Sequence, residues 1–161
     1  MQLKFARRKI LSGLAALAGG VTLVQTSKMA HASTKPDMYS KHWPLRADVD
    51  LRKQSLDLVE YGKKIYTWKI SSGKKGYYTP QGVYSPKWMR KMHYSNTYDN
   101  APMPHAVFFY KGYAIHGTEW TAKLGSEASK GCIRLHEDAA KEFFKLVEEH
   151  GMKKTRINIT Y

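Results

Sequence analysis

From about residue 47 onward the chain consists of short β-type runs separated by turn residues, and this pattern constrains the fold more than any other feature. The run Ile65–Ile70 is rich in β-branched and aromatic residues and ends at Ser71–Gly73. Two further runs, Ala106–Tyr110 and Tyr113–His116, flank Lys111–Gly112 and predict a hairpin. Leu56 and Leu58, which alternate with polar residues, and Val83–Tyr84 after a turn indicate two more short strands. Many short strands of this kind predict a mainly β sandwich.

One helix is clear near the C-terminus, over about Glu137–His150. Acidic residues suit its N-terminus, and Gly151 suits its end. Its apolar stripe consists of Ala140, Phe143, Phe144 and Val147. The alternating run Arg156–Tyr161 then predicts a final strand.

The N-terminus has the three parts of an export signal. Residues Lys4–Lys9 are basic without any acid, Leu11–Val24 is apolar and rich in small residues, and Ala30–Ala32 is a cleavage site before Ser33. The arginine pair within Lys4–Lys9 is typical of twin-arginine export, although Sec leaders carry such pairs too. An uncleaved anchor is the alternative, but the apolar stretch is short for a membrane span of about 20 residues.

This organisation predicts a signal peptide over residues 1–32, a polar arm over residues 33–46 and one folded domain over residues 47–161. We therefore expect an exported protein of the periplasm or cell envelope.

Charge and cysteine content narrow the function classes. The chain has 27 basic and 13 acidic residues, and five of the basic residues lie in the leader. The remaining excess of basic residues favours anionic partners such as the cell wall. Nucleic acid is a weaker candidate, because the leader directs export and no nucleic-acid-binding motif is visible. A single cysteine cannot form an intramolecular disulfide, so in an oxidising compartment it is a candidate reactive group.

That cysteine, Cys132, lies sixteen positions after His116, and each of the two has a glycine beside it. Acyl transfer by a thiol needs a base to form the thiolate and backbone N–H groups to hold the oxyanion. A histidine at the end of an apolar strand can be the base, and the Gly131–Cys132 step can expose the sulfur. A lone cysteine with a distant histidine is only a candidate nucleophile in general, but the surrounding string is far more specific.

The string resembles the active-site pattern of the L,D-transpeptidase catalytic domain, of the YkuD or ErfK/YbiS type. The resemblance runs from about Ala47 to the C-terminus and departs at Lys130, where the family commonly has histidine. The matching segments are His116–Thr118, Leu124–Gly125, Ser129–Leu135, Asp138–Ala139, Ser72–Gly73, Thr79–Tyr84 and Ala101–Pro104.

The resemblance implies a β-sandwich-like fold and a cysteine-dependent transpeptidase acting on peptidoglycan stem peptides through a thioester. Cys132 would be the nucleophile, His116 the base, and the Gly117 carbonyl the group that orients the His116 ring. We expect His116, Lys130 and Arg134 to favour the thiolate. The expected oxyanion and substrate-binding residues are Lys130, Gly131, Arg134, Ser129 and Thr118. Arg134 would hold a substrate carboxylate or brace the loop, and Ser129 and Thr118 would be hydrogen-bonding residues of the loops.

The family resemblance implies no cofactor, and we predict no metal. His136, His116 and His105 could be imagined as zinc ligands, but no CxxC or HExxH spacing supports them. Expected partners are peptidoglycan stem peptides, an envelope lipoprotein as a further acceptor, and carbapenem inhibitors. Two alternatives stay open: an L,D-carboxypeptidase that uses water, and an inactive wall-binding module. Trp120 and Tyr98 are the aromatic residues that we expect near the cleft.

Overall fold

The computed structural model describes residues 42–161, which form nine strands and one α-helix together with two short 3-10 helices. The predicted leader and most of the predicted arm lie outside these described residues. The strands are β1 Leu45–Asp50, β2 Ser55–Glu60, β3 Lys63–Lys69, β4 Gly82–Tyr84, β5 Trp88–Tyr94, β6 Pro102–Tyr110, β7 Tyr113–Thr118, β8 Ile133–His136 and β9 Thr155–Thr160, and the helix is α1 Glu137–His150.

The first sheet has five strands in the order β3-β2-β1-β9-β4. Its centre is the parallel pair β1 and β9, in which Ala47 lies opposite Ile157 and Val49 opposite Ile159. These four side chains are buried, whereas the residues between them are less so. Because successive side chains of a strand point to opposite faces, one face of this sheet is directed into the core.

The second sheet has four strands in the order β5-β6-β7-β8 and carries the predicted catalytic segments. Its β6–β7 hairpin is antiparallel, and β7 pairs in parallel with β8. Val107, Ile115 and Ile133 join the residues of the first sheet in one buried cluster. Phe108 and Ala114 belong to a second, smaller cluster. The two sheets and the helix therefore share one core, and the fold is the expected mainly β sandwich with one C-terminal helix.

Helix α1 begins directly after β8 and packs against β6 and β7. The side chain of His136 caps its N-terminus by accepting a hydrogen bond from the Asp138 N–H at 3.3 Å. Gly151, with φ of 87°, ends the helix, and its N–H donates to the Val147 carbonyl at 2.9 Å. The predicted apolar stripe is buried, as its 3.6-residue period requires.

The helix and the last strand confirm the predictions from periodicity to within a residue. The hairpin is confirmed as well, but its first strand begins at Pro102, four residues before the predicted start. Three strands, β1, β5 and β8, were not predicted. The start of β1 also corrects the predicted arm, because Leu45 and Arg46 already belong to that strand and Leu45 is fully buried. Within residues 42–161, no helix has the length and apolar character that a membrane span requires.

Candidate active site

Cys132 ends the turn that leads into β8 and is partly exposed. Its thiol lies 3.9 Å from the carbonyl oxygen of Gly112, in the turn of the β6–β7 hairpin. The side chain packs against a small apolar group on the second sheet, formed by Met103, Ala106, Phe108 and Ala114. The Cys132 side chain therefore lies on an apolar surface of the second sheet and stays partly exposed.

The parallel pairing of β7 and β8 brings the predicted base to this cysteine. His116 lies opposite Arg134, and Ile115 lies opposite Ile133, the residue that follows Cys132. His116 and Cys132 line the same cleft, of about 790 Å³. The structure therefore brings together the two residues that the sequence separates by sixteen positions.

The ring of His116 is held by its own backbone. Its Nδ1 lies 2.7 Å from the carbonyl oxygen of Gly117. A carbonyl only accepts hydrogen bonds, so Nδ1 carries the proton and the Nε2 lone pair is left to act as a base. A Cβ on Gly117 would come within 3.1 Å of the Glu137 Cα and of the Pro104 Cγ, so glycine lets this segment pack closely.

Burial has the largest effect on the pKa values of His116 and Cys132. It lowers the pKa of His116 to about 4, with a smaller opposing effect of the Gly117 hydrogen bond. Burial also raises the pKa of the Cys132 thiol, against smaller lowering effects of the Ala114 backbone and of Arg134. At neutral pH the resting site therefore holds a thiol and a neutral imidazole. Arg134 favours the thiolate, as expected, but desolvation outweighs its effect on the thiol pKa.

The turn before Cys132 is braced by Ser129. The Ser129 hydroxyl accepts a hydrogen bond from the Gly131 N–H at 3.0 Å and donates one to the Cys132 carbonyl at 2.6 Å. Gly131 has φ of 111°, and a Cβ there would come within 2.6 Å of the Tyr113 ring. Both the left-handed backbone and the close ring favour glycine at this position.

A second brace comes from the segments that match the family upstream of the hairpin. The Thr79 hydroxyl donates to the Gly131 carbonyl at 2.8 Å and accepts from the Gly73 N–H at 2.9 Å. The Ser129 N–H donates to the Ser72 carbonyl at 2.8 Å. Thr79 is buried and was not among the predicted site residues. The sequence did contain a signal for this brace, namely the match of its Ser-Gly and Thr-Pro segments to the family pattern. Both segments contact the turn that carries Cys132.

The predicted oxyanion donors differ in whether their N–H groups already make a hydrogen bond. The N–H of Gly131 is already bound by Ser129. Within residues 42–161, the turns and loops offer no acceptor to the N–H groups of Cys132 and Lys130. These two groups are therefore the backbone donors on the turn that remain for a negatively charged oxygen.

Both predicted cations of the site rest on aromatic rings that line the cleft. Lys130 Nζ lies 4.4 Å from the centroid of the Tyr98 ring, and the Arg134 guanidinium carbon lies 5.4 Å from that of Trp120. Neither cation has a carboxylate within salt-bridge distance among residues 42–161. Burial lowers the pKa of the half-buried Arg134, which still leaves it charged at neutral pH. The cleft thus contains two cations available to an anionic ligand.

The other predicted polar residues support the loops. Thr118 Oγ1 accepts a hydrogen bond from the Trp120 N–H at 3.2 Å. His136 caps the helix, and the His105 ring lies edge-on to Phe144 with ring centroids 5.9 Å apart. In the described part of the chain, no three His, Cys, Asp or Glu side chains are grouped as metal ligands.

A stacked aromatic pair forms part of the cleft wall and was not predicted. The rings of Trp88 and Phe108 lie 3.6 Å apart, centroid to centroid, at an interplanar angle of 7°. Phe108 also belongs to the apolar surface under Cys132. The two residues come from different strands, β5 and β6, so only the sheet pairing reveals this contact.

Comparison with known proteins points to one family. Residues 44–159 match the sequence profile of the L,D-transpeptidase catalytic domain, YkuD. The chain is 27% identical over 158 residues to a candidate L,D-transpeptidase YkuD of Bacillus licheniformis, an alignment that covers 96% of this chain and 86% of that protein. It is 32% identical over 132 residues to a candidate L,D-transpeptidase YciB of Bacillus subtilis, and this alignment covers 71% of this chain and 66% of that protein.

Solved structures agree on the fold. The L,D-transpeptidase from Xylanimonas cellulosilytica superposes with a TM-score of 0.62 at 28% identity, covering 73% of this chain and 61% of that one. The L,D-transpeptidase LdtMt1 in complex with imipenem superposes with a TM-score of 0.65 at 20% identity, covering 73% and 59%. The chain therefore spans about three fifths of the length of these solved chains.

Proposed function

The chain belongs to the L,D-transpeptidase catalytic domain family, and from this premise we propose that Cys132 is the nucleophile of an L,D-transpeptidase that acts on peptidoglycan stem peptides. The observation that carries the proposal is the His116 ring, whose Nδ1 is bonded to the Gly117 carbonyl beside the cleft that holds Cys132. This hydrogen bond leaves Nε2 as a base in a site that also contains a partly exposed thiol.

In the acylation step, Sγ of Cys132 attacks the carbonyl carbon of the third stem residue while His116 Nε2 accepts the thiol proton. The bond to the terminal D-alanine breaks, and the imidazolium returns the proton to the leaving amine. A thioester and free D-alanine result. Because both resting groups are neutral, the proton moves during the attack and no ion pair has to be stored beforehand.

In the second step, the amine of a neighbouring stem peptide attacks the thioester and His116 accepts its proton. The carbon–sulfur bond breaks, an amide forms, and the thiolate takes the proton back from the imidazolium. The N–H groups of Cys132 and Lys130 would stabilise the oxyanion in both steps. Arg134 would hold a carboxylate of the stem peptide, since it has no acidic partner within salt-bridge distance among residues 42–161.

One experiment distinguishes the transpeptidase from the two alternatives, an L,D-carboxypeptidase and an inactive wall-binding module. Purified protein is incubated with disaccharide tetrapeptide muropeptides, and the products are analysed by mass spectrometry. A cross-linked dimer lacking one D-alanine supports the transpeptidase. Tripeptide product without any dimer indicates an L,D-carboxypeptidase, and unchanged tetrapeptide indicates an inactive wall-binding module. An envelope lipoprotein as acceptor would be recognised as a stem-linked protein in the same assay.

Export and inhibition complete the proposal. The leader Lys4–Ala32 supports a location in the periplasm or cell envelope, where stem peptides are found. Mass analysis of protein from its native envelope should find the N-terminus at or near Ser33, and a start at Met1 would instead indicate an anchor.

Solved L,D-transpeptidases in complex with imipenem and with a faropenem-derived adduct support inhibition by carbapenem-type compounds.

A further inference from the structure

The cleft wall formed by residues 95–101 meets the turn that carries Cys132. This segment, the β5–β6 loop, joins two strands of the second sheet, and all its residues line the cleft. The contact is made by Lys130, whose Nζ lies 4.4 Å from the centroid of the Tyr98 ring. Lys130 is exposed and Tyr98 is partly buried. One charged side chain from the cysteine turn therefore rests on one ring from the β5–β6 loop.

Hydrogen bonds within the β5–β6 loop stabilise the backbone around Tyr98. The Ala101 N–H donates to the Tyr98 carbonyl at 2.9 Å, and the Ser95 N–H donates to the Ala101 carbonyl at 3.0 Å. Asp99 and Asn100, at φ of 47° and 51°, complete a type I′ turn, whose left-handed positions Asp and Asn tolerate. These hydrogen bonds give the loop backbone a defined shape, with Tyr98 at the start of the turn.

We propose that Lys130 and Tyr98 form a clasp that keeps the β5–β6 loop closed over the cleft and thereby determines whether the acyl-enzyme is resolved by an amine or by water. The proposal rests on the proposed function and deepens it, because it assigns to two positioning residues the choice of acceptor.

The two resolutions differ only in the attacking atom. With water, an oxygen–carbon bond forms, the carbon–sulfur bond breaks, and a carboxylic acid and the thiol result. With an amine, a nitrogen–carbon bond forms in place of the oxygen–carbon bond, and the same thiol is released. Because one thioester feeds both reactions, access of water to the cleft sets their ratio.

The size of the effect follows from the kind of contact. An exposed ammonium over an aromatic ring is a modest interaction, which corresponds to a change of about two- to fivefold in the closed population. The chain offers a matched control, since Lys74 Nζ lies 5.6 Å from the centroid of the Tyr77 ring, and neither residue lines the cleft. Loss of the Tyr77 ring removes a similar contact without touching the site.

Closure is measured first, without any substrate. Cys132 is the only cysteine of the chain, so its rate of alkylation by iodoacetamide reports access to the cleft. Tyr98→Leu should raise this rate about two- to fivefold, because it opens the clasp without changing any charge. Tyr98→Phe keeps the ring and should match wild type, as should Tyr77→Leu. Equal rates for Tyr98→Leu and Tyr98→Phe would overturn the clasp.

Acceptor choice is measured second, as the ratio of tripeptide to cross-linked dimer formed from disaccharide tetrapeptide. Tyr98→Leu should raise this ratio by a similar factor. Lys130→Arg should keep the wild-type ratio, because arginine also binds an aromatic face. As a single substitution, Lys130→Met should raise the ratio. Combined with Tyr98→Leu it should raise the ratio no further, since both substitutions remove the same contact. Additive effects, or a ratio that stays constant while alkylation rises, would overturn the assignment of acceptor choice.

The two measurements separate the proposals. If wild type forms no acyl-enzyme, the proposed function fails while the alkylation rates still decide whether the clasp exists. If wild type transfers the stem but the Tyr98 variants all alkylate alike, the function stands and the clasp is wrong.

Discussion

The carbonyl oxygen of Gly117 lies 2.7 Å from Nδ1 of the preceding residue, His116. In the proposed mechanism this backbone carbonyl has the orienting role that a carboxylate has in many catalytic triads. A neutral acceptor stabilises an imidazolium less than an anion would, and this agrees with the pKa of His116, which burial lowers to about 4. The base of this site is therefore set up to be neutral at rest.

The first prediction concerns the pH profile of acylation. In the proposed mechanism neutral His116 accepts the thiol proton, and this form predominates above about pH 4. The acid limb of kcat/KM, which reports the free enzyme, should therefore lie near pH 4 and not near the ordinary histidine value of about 6.5. Acylation rates measured from pH 3.5 to 8 check this. A limb centred at pH 6.5 or above would show that the imidazole is not held neutral by burial.

The second prediction concerns stability. The pKa of His116 is about 4 in the folded chain and about 6.5 in an unfolded one, so between these values the unfolded state binds more protons. The free energy of unfolding should therefore fall by about 3 kcal/mol as the pH drops from 7 to 4 on account of this residue alone. His116→Gln lacks the titrating group, and its stability should fall less over the same range. Urea unfolding of both proteins at each pH gives the difference, and parallel pH dependences would contradict the assignment.

The third prediction concerns Thr79, whose hydroxyl joins Gly73 to the carbonyl of Gly131. Thr79→Val keeps the shape but leaves both buried backbone groups without a partner, at a cost of about 1–3 kcal/mol in unfolding free energy. Acylation of Cys132 should slow as well, because the turn loses a brace. Thr79→Ser keeps the hydroxyl and should stay near wild type in both measurements. A Thr79→Val protein with wild-type stability would show that this hydroxyl does not hold the turn.

Some elements of the fold and of the site could be predicted from the sequence, and others could not. Helix α1 was predictable because its burial follows its own period. Strand β8 was not, since its four residues are too few to show alternation, and β5 was obscured by charged and exposed residues. His116, Gly117 and Cys132 could be named from the family pattern. The protonation of Cys132 could not, because it depends on burial created by strands distant in sequence.

The fourth prediction concerns Ser129, which links the Gly131 N–H to the Cys132 carbonyl. Ser129→Ala removes both hydrogen bonds and should slow acylation by about tenfold, or about 1.4 kcal/mol of barrier. Ser126→Ala is the matched control, since it removes a serine hydroxyl that bonds the Lys123 carbonyl at 2.8 Å outside the cleft. Single-turnover acylation rates compare the two variants. Equal rates for both would mean that the turn keeps its geometry without Ser129.

The central claim, that Cys132 and His116 form one catalytic unit, is tested most directly by the intact mass of freshly reduced protein after incubation with imipenem. The account predicts one covalent adduct on the peptide that contains Cys132, no adduct on Cys132→Ala, and acylation slower by several orders of magnitude in His116→Ala. An adduct on the Cys132→Ala protein, or a rate in His116→Ala equal to that of wild type, would contradict it.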